Sequence, residues 1–120
     1  METKIFQSDQ IEEAAALLRN GELVAFPTET VYGLGANALL AESVKQVFAV
    51  KGRPSDNPLI VHVANFSMTE EFVESYHPLT ETIIKHFWPG PLTLIFKIKT
   101  GSLSPVVTGG LSTAAFRMPD

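Results

Sequence analysis

The chain has 120 residues, of which 45% are hydrophobic and 18% charged, so it can form one packed domain and is not globally disordered. A net charge of −4 argues against a protein held to nucleic acid by bulk electrostatics. The absence of cysteine excludes disulfide scaffolds, zinc–thiolate sites and cysteine nucleophiles. No secretory signal and no membrane-spanning apolar run are visible, which predicts a cytoplasmic protein without a membrane partner.

The first half of the chain predicts a helix, a strand and a second helix. Apolar residues at helical spacing predict a helix from Gln10 to Arg19, with a capping box formed by Asp9 and Glu12. The apolar run Leu23–Phe26 predicts a strand buried on both faces. A polar loop follows, and a second helix ends at Lys51 and Gly52, with one apolar face formed by Leu40, Val44, Val47 and Phe48.

The second half predicts further strands and helices. Leu59–Val63 has the composition of a buried strand, and two short helices follow it, one beginning with a capping box at Ser67 and Glu70 and one after Pro78. Alternating apolar residues predict a strand over Leu92–Ile98. The next segments predict a surface loop and a final strand, over Thr100–Gly110 and Thr113–Arg117. Short connections favour an α/β fold with a mixed sheet and helices packed on it.

The loop after the first strand contains Gly33 and Gly35 in a formal G-x-G-x-x-A pattern. We reject a dinucleotide fingerprint, because the first glycine should directly follow the strand and here six residues intervene. Two interpretations stay open: a glycine hinge, or a loop that closes on a small ligand. The second is favoured by the polar side chains of Thr28, Glu29, Thr30 and Tyr32.

The loop after the second helix is a candidate anion clamp. Lys51 and Arg53 are two residues apart, so in extended backbone they direct both cations to one side, and Asn57 adds an amide. In the alternative, Lys51 compensates the helix C-terminus and Arg53 is solvated. Spacing alone does not decide between the two.

His62 and Arg117 each lie within a predicted strand. His62 is either a core histidine or a residue at the edge of a cleft. Arg117 requires water or an anion, so it is a ligand anchor or part of a structural salt bridge. The small residues Thr113 and Ala115 share its face and leave room for a ligand.

Five ordered segments together resemble the YrdC-like family, the L-threonylcarbamoyladenylate synthases. The resemblance covers essentially the whole chain and raises the clamp interpretation above its alternative. The segments are Pro27–Gly35 (PTETVYGLG), Lys51–Pro54 (KGRP), Asn57–Val63 (NPLIVHV), Trp88–Thr93 (WPGPLT) and Phe116–Asp120 (FRMPD).

The resemblance implies an enzyme that joins L-threonine, bicarbonate and ATP into threonylcarbamoyl-AMP and releases pyrophosphate, for the threonylcarbamoyladenosine modification of tRNA. It implies a twisted sheet of parallel and antiparallel strands with flanking helices, around a positively lined cleft. Mg²⁺ is expected with ATP, with no protein metal site. The downstream partner is the tRNA threonylcarbamoyl-transfer machinery.

The resemblance also implies roles for residues at matching positions. Lys51 and Arg53 are the expected catalytic cations and bind the ATP phosphates. The expected substrate contacts are Thr30, Tyr32, His62 and Arg117, and the further ATP contacts are Asn57 and Thr113.

The family's Ser-x-Asn element comes after the Arg-Met-Pro-Asp block, and residues 1–120 end before it. We therefore expect a YrdC-like domain that is incomplete at its C-terminal end. One alternative function is a double-stranded RNA or tRNA binding module that uses the same cationic cleft. Another is a YrdC-like domain of a carbamoyl-transfer maturation protein, which the start at Met1 disfavours.

Overall fold

The computed structural model describes residues 4–7, 9–27, 32–52 and 58–119. Within these ranges the helices are α1 (Ile11–Arg19), α2 (Ala41–Lys51), α3 (Phe66–Glu70), α4 (Leu79–Phe87) and α5 (Pro105–Thr108). None of the helices in the described part of the chain is long and apolar enough to cross a membrane.

The described strands form two sheets. They are β1 (Val24–Pro27), β2 (Tyr32–Gly35), β3 (Ile60–His62), β4 (Val73–Ser75), β5 (Leu94–Ile98) and β6 (Thr113–Arg117). β1 and β2 form an antiparallel pair, and the larger sheet has the strand order β3-β6-β5-β4. β6 is parallel to β3 and antiparallel to β5, which confirms the α/β class and the mixed sheet.

The hydrophobic core lies on one face of the larger sheet. Phe116 at the centre of β6 is fully buried, and its ring contacts those of Phe72 and Phe96. α2 is amphipathic and contributes Val44 and Phe48 to this core. Trp88 and Phe96 are also buried in this core.

The predicted strand Leu92–Ile98 is confirmed as β5, with Leu94, Phe96 and Ile98 directed toward the core. The predicted helices are confirmed as α1, α2, α3 and α4. α2 ends as predicted, because Gly52 adopts a positive φ of 67° and its N–H is bonded to the Phe48 carbonyl.

The two predicted capping boxes are wrong. α1 has Gln10 as its N-cap, with no side-chain capping bond, and the Gln10 amide oxygen instead accepts from the Gln7 N–H. α3 begins earlier than predicted, with the Asn65 side chain accepting from the Met68 N–H. Both predictions fail because the N-cap is the one residue with non-helical backbone at the start of the helix. A run of polar residues does not determine which of them takes that position.

Three further predictions are corrected. The first strand, β1, is not buried on both faces, since Ala25 is exposed and the strand pairs with β2 in a hairpin. The predicted Gly33–Gly35 loop is strand β2. The predicted surface loop Thr100–Gly110 contains α5, which buries Val107 and Thr108.

Candidate functional site

The larger sheet has a second face, opposite the core, which carries three of the described candidate residues: His62, Thr113 and Arg117. We call it the outer face. Strand alternation directs Phe116 and Ala114 into the core and the intervening residues outward. The outer face consists of Ile60, His62, Ile95, Lys97, Thr113, Ala115 and Arg117.

His62 and Arg117 are register partners on this face. Each is the last residue of its strand, and β3 and β6 are parallel, so both lie at the carboxyl edge of the sheet. Neighbouring strands are about 4.8 Å apart, which brings the two side chains side by side. In parallel sheets, ligands bind beyond the carboxyl ends of the strands. The pair His62 and Arg117 therefore lies where a small ligand is expected.

The floor of the outer face next to this pair is formed by a small residue. Ala115 is paired with Ile60 on one side and Ile95 on the other. Thr113, at the start of the same strand, is four residues from Arg117, or roughly 13 Å at about 3.3 Å per residue. Thr113 and Arg117 therefore lie at opposite ends of the described part of β6 on this face. The prediction that Thr113, Ala115 and Arg117 share a face is confirmed.

The β1–β2 hairpin reaches the outer face through Phe26. The Phe26 ring makes an edge contact with the His62 imidazole, with 6.2 Å between the ring centroids. His62 remains exposed to solvent overall, but partial desolvation lowers its pKa from the ordinary 6.5. The imidazole is therefore neutral near pH 7 and can accept a hydrogen bond from an ammonium or a hydroxyl group.

At the carboxyl ends of β3 and β6, backbone hydrogen bonds join the sequence motifs that contain Val63, Gly90 and Arg117. The Val63 N–H donates to the Arg117 carbonyl at 2.9 Å, and the Gly90 N–H donates to the Met118 carbonyl at 2.9 Å. Gly90 has no room for a side chain, because a Cβ there would lie 2.6 Å from the Phe87 carbonyl oxygen. The motif containing Trp88 and Gly90 thus supports the end of β6 and fixes the position of Arg117.

The remaining predicted site residues are placed only in part. Lys51 is exposed at the C-terminal end of α2. Tyr32 begins β2, where its backbone pairs with Pro27. Thr30, Arg53 and Asn57 lie outside the described residues. The convergence of Lys51 and Arg53 with Arg117 stays a prediction.

A cavity of about 260 Å³ lies between α4 and the β4–β5 edge, and Ile95 and Lys97 of the outer face are among its lining residues. None of the described candidate residues lines it. In the described part of the chain, no three His, Asp or Glu side chains come together as a group that could hold a metal ion.

Phe26 was missed by the sequence analysis, which placed it in a buried strand. The available signal was an aromatic residue directly before a polar loop, which is typical of both a buried strand and the wall of a ligand site. The contact with His62 depends on the relative placement of two sheets, which sequence periodicity does not report.

A family model described as Sua5_yciO_yrdC, Telomere recombination, matches residues 16–120, most of the chain. The chain belongs to the Sua5/YciO/YrdC family. The resemblance inferred from the five motifs is thus confirmed. A threonylcarbamoyl-AMP synthase of Bacillus subtilis is 59% identical over 111 residues, which are 92% of this chain and 32% of the relative.

Solved structures agree with this assignment. The Sua5/YciO/YrdC chain matches Pyrococcus abyssi Sua5 complexed with L-threonine with a TM-score of 0.88 and 50% identity, covering 97% of this chain and 34% of that one. Escherichia coli YciO, at 18% identity and a TM-score of 0.77, shares the fold over 98% of this chain and 56% of its own. The chain spans about a third of the length of the Bacillus subtilis and Pyrococcus abyssi synthases.

Proposed function

We propose that this Sua5/YciO/YrdC chain forms part of a threonylcarbamoyl-AMP synthase, which makes threonylcarbamoyl-AMP and pyrophosphate from L-threonine, bicarbonate and ATP. The main support is the 50% identity to a Sua5 whose structure is complexed with L-threonine. The synthase relatives from Bacillus subtilis and Pyrococcus abyssi support the same activity. The domain continues beyond residue 120 in this proposal.

The outer face supplies the threonine end of the proposed site. The neutral His62 imidazole accepts a hydrogen bond from the threonine ammonium or hydroxyl group, and Thr30 and Tyr32 complete the pocket. The Arg117 guanidinium attracts a carboxylate or phosphate oxygen beside His62. Ala115 leaves space between this end and Thr113, which contacts the nucleotide.

Lys51, Arg53 and Asn57 bind the ATP phosphates in this proposal. The reaction brings a carboxylate close to an α-phosphate, so the protein must neutralise several negative charges while it aligns the reactants. No protein nucleophile is required. Lys51 fits this role because it is exposed at the end of α2, two residues before Arg53, and its ammonium group lies on a long flexible side chain.

Mg²⁺ enters this site with ATP, because phosphate oxygens and water are the ligands it prefers. When bound, the ion withdraws charge from the phosphates. The protein contributes the side chains of Lys51, Arg53 and Arg117 to the neutralisation of the phosphate charge.

The test uses a chimaera in which this chain replaces the matched 111-residue region of the Bacillus subtilis synthase. The chimaera should release pyrophosphate from ATP only when both threonine and bicarbonate are present. Lys51→Ala should lower turnover at least tenfold, which corresponds to the loss of a charged phosphate contact of about 1.5–3 kcal/mol. Pyrophosphate release that does not depend on threonine would refute the proposal.

Lys45→Ala is the matched control. Lys45 also lies on α2, is exposed, and forms a surface pair with Glu42 at 3.2 Å, so its removal should leave turnover unchanged. Equal losses in both variants would show a general effect of charge on α2 and exclude the clamp. RNA affinity that falls steeply with salt, without synthase activity, would favour an RNA-binding module instead.

Product transfer to the tRNA threonylcarbamoyl-transfer machinery and a cytoplasmic location follow from the same proposal.

A further inference from the structure

Phe26 lies between the β1–β2 hairpin and the larger sheet, with a different contact on each side. On the sheet side, its ring contacts the His62 imidazole edge-on. On the hairpin side, its ring covers the backbone of Gly35, where an added Cβ would lie 2.5 Å from Phe26 Cε1. No side chain larger than hydrogen fits at Gly35 while the ring keeps this position.

The register explains this arrangement. Phe26 is paired with Gly33, and Val24 with Gly35, so both glycines share the face of the hairpin that carries the Phe26 ring. An aromatic ring that covers a glycine on a neighbouring strand protects that backbone and fixes strand register. Gly35, the second glycine of the Gly-Leu-Gly motif, thus has a steric role, because the absence of a side chain there leaves the space that the Phe26 ring occupies.

We propose that Phe26 is a positioning residue whose ring fixes the orientation and hydration of the His62 imidazole. It couples strand β1, which precedes Thr30 in the chain, to the carboxyl end of β3. The lowered His62 pKa agrees with a ring that excludes water from one side of the imidazole. Two described side chains flank the His62 imidazole: the charged Arg117, its register partner on β6, and the uncharged Phe26 of β1.

The role in threonine binding rests on the proposed function, whereas the coupling of Phe26 to His62 does not. The primary experiment is therefore an NMR pH titration of the three histidines in the 120-residue chain. In Phe26→Leu, the His62 pKa should rise toward the ordinary histidine value, while His77 and His86 serve as internal references. Phe26→Tyr keeps the ring and should restore the wild-type His62 titration.

Two further variants separate positioning from general loss of stability. Gly35→Ala displaces the ring without removing it, and should shift the His62 pKa in the same direction as Phe26→Leu. Phe72→Leu removes a comparable aromatic contact on the core side, with Phe116 at 6.1 Å, and should leave the His62 titration unchanged. An unchanged His62 pKa in both Phe26→Leu and Gly35→Ala would overturn the proposal.

In the active chimaera, Phe26→Leu should raise the KM for threonine by about two- to tenfold, the range expected for loss of one aromatic contact, with a smaller change in kcat. A shifted His62 pKa with an unchanged KM would overturn the link to threonine. An inactive wild-type chimaera would refute the proposed function, and the NMR titration would still decide the coupling of Phe26 to His62.

Discussion

The substitution Ala115→Val tests whether the outer face is a ligand surface, and Ala114→Val is its control. The two alanines are adjacent in β6 and face opposite sides of the sheet. Ala114 is 4% exposed and belongs to the core, whereas Ala115 is half-buried on the outer face. The same chemical change therefore enters a packed interior in one case and a candidate site in the other.

The two substitutions are expected to affect the free energy of unfolding differently. Ala114→Val inserts two carbon atoms opposite Phe96 in a close-packed core, and overpacking of this kind costs about 1–3 kcal/mol. Ala115→Val places a strand-favouring residue between Ile60 and Ile95, so the free energy of unfolding should change by less than about 0.5 kcal/mol. The methyl groups that Ala115→Val adds would occupy the space between Thr113 and Arg117.

Urea unfolding of the 120-residue chain measures the first effect, and pyrophosphate release by the chimaera measures the second. Ala115→Val should lower kcat/KM at least tenfold, or about 1.4 kcal/mol, at nearly unchanged stability. Wild-type kcat/KM in Ala115→Val would refute the assignment of substrates to the outer face. Equal destabilisation by both variants would refute the description of the two faces.

Two further predictions concern stability. Ser43→Ala removes a hydroxyl that donates to the Gly21 carbonyl at 2.8 Å and should lower the free energy of unfolding by about 0.5–1.5 kcal/mol. Ser102→Ala, whose hydroxyl is 3.4 Å from its acceptor, should cost less in the same urea titration. Because the His62 pKa is lowered in the folded chain, the unfolded chain binds the His62 proton more tightly than the folded chain does. The contribution of His62 to the free energy of unfolding is therefore fully present above pH 6.5. It is lost as the pH falls through the lower, folded-state pKa. When the pH is lowered from about 8 to about 5, the urea concentration at the unfolding midpoint should therefore decrease more in wild type than in His62→Gln. An equal decrease in the two proteins would contradict this prediction.

Strongly periodic segments could be predicted from the sequence. β5 alternates apolar and outward-facing residues, and α2 carries an apolar face and a terminal glycine, so each pattern indicates one structure. β4 and α5 have three and four residues, too few to show a period. β2 contains two glycines, which are poor strand formers, and it becomes a strand because β1 pairs with it.

Individual residues of the site could be predicted from the sequence, but their positions relative to one another could not. The sequence left His62 and Arg117 each with two interpretations, because composition does not reveal which residues face one another. Their register, from a parallel pair of strands far apart in the chain, places them at one edge. The role of Phe26 needed the same tertiary information, since a contact between two sheets leaves no local pattern.

The position of β6 between β3 and β5 has a consequence for biosynthesis. β3 leaves the ribosome well before β6, which is its only neighbour in the sheet among the described strands. His62 and Arg117 thus meet in a single late event, when the nascent chain is extruded past residue 117. A ribosome stalled before that point would display unpaired strand edges to chaperones, and the nascent polypeptide would have no binding surface.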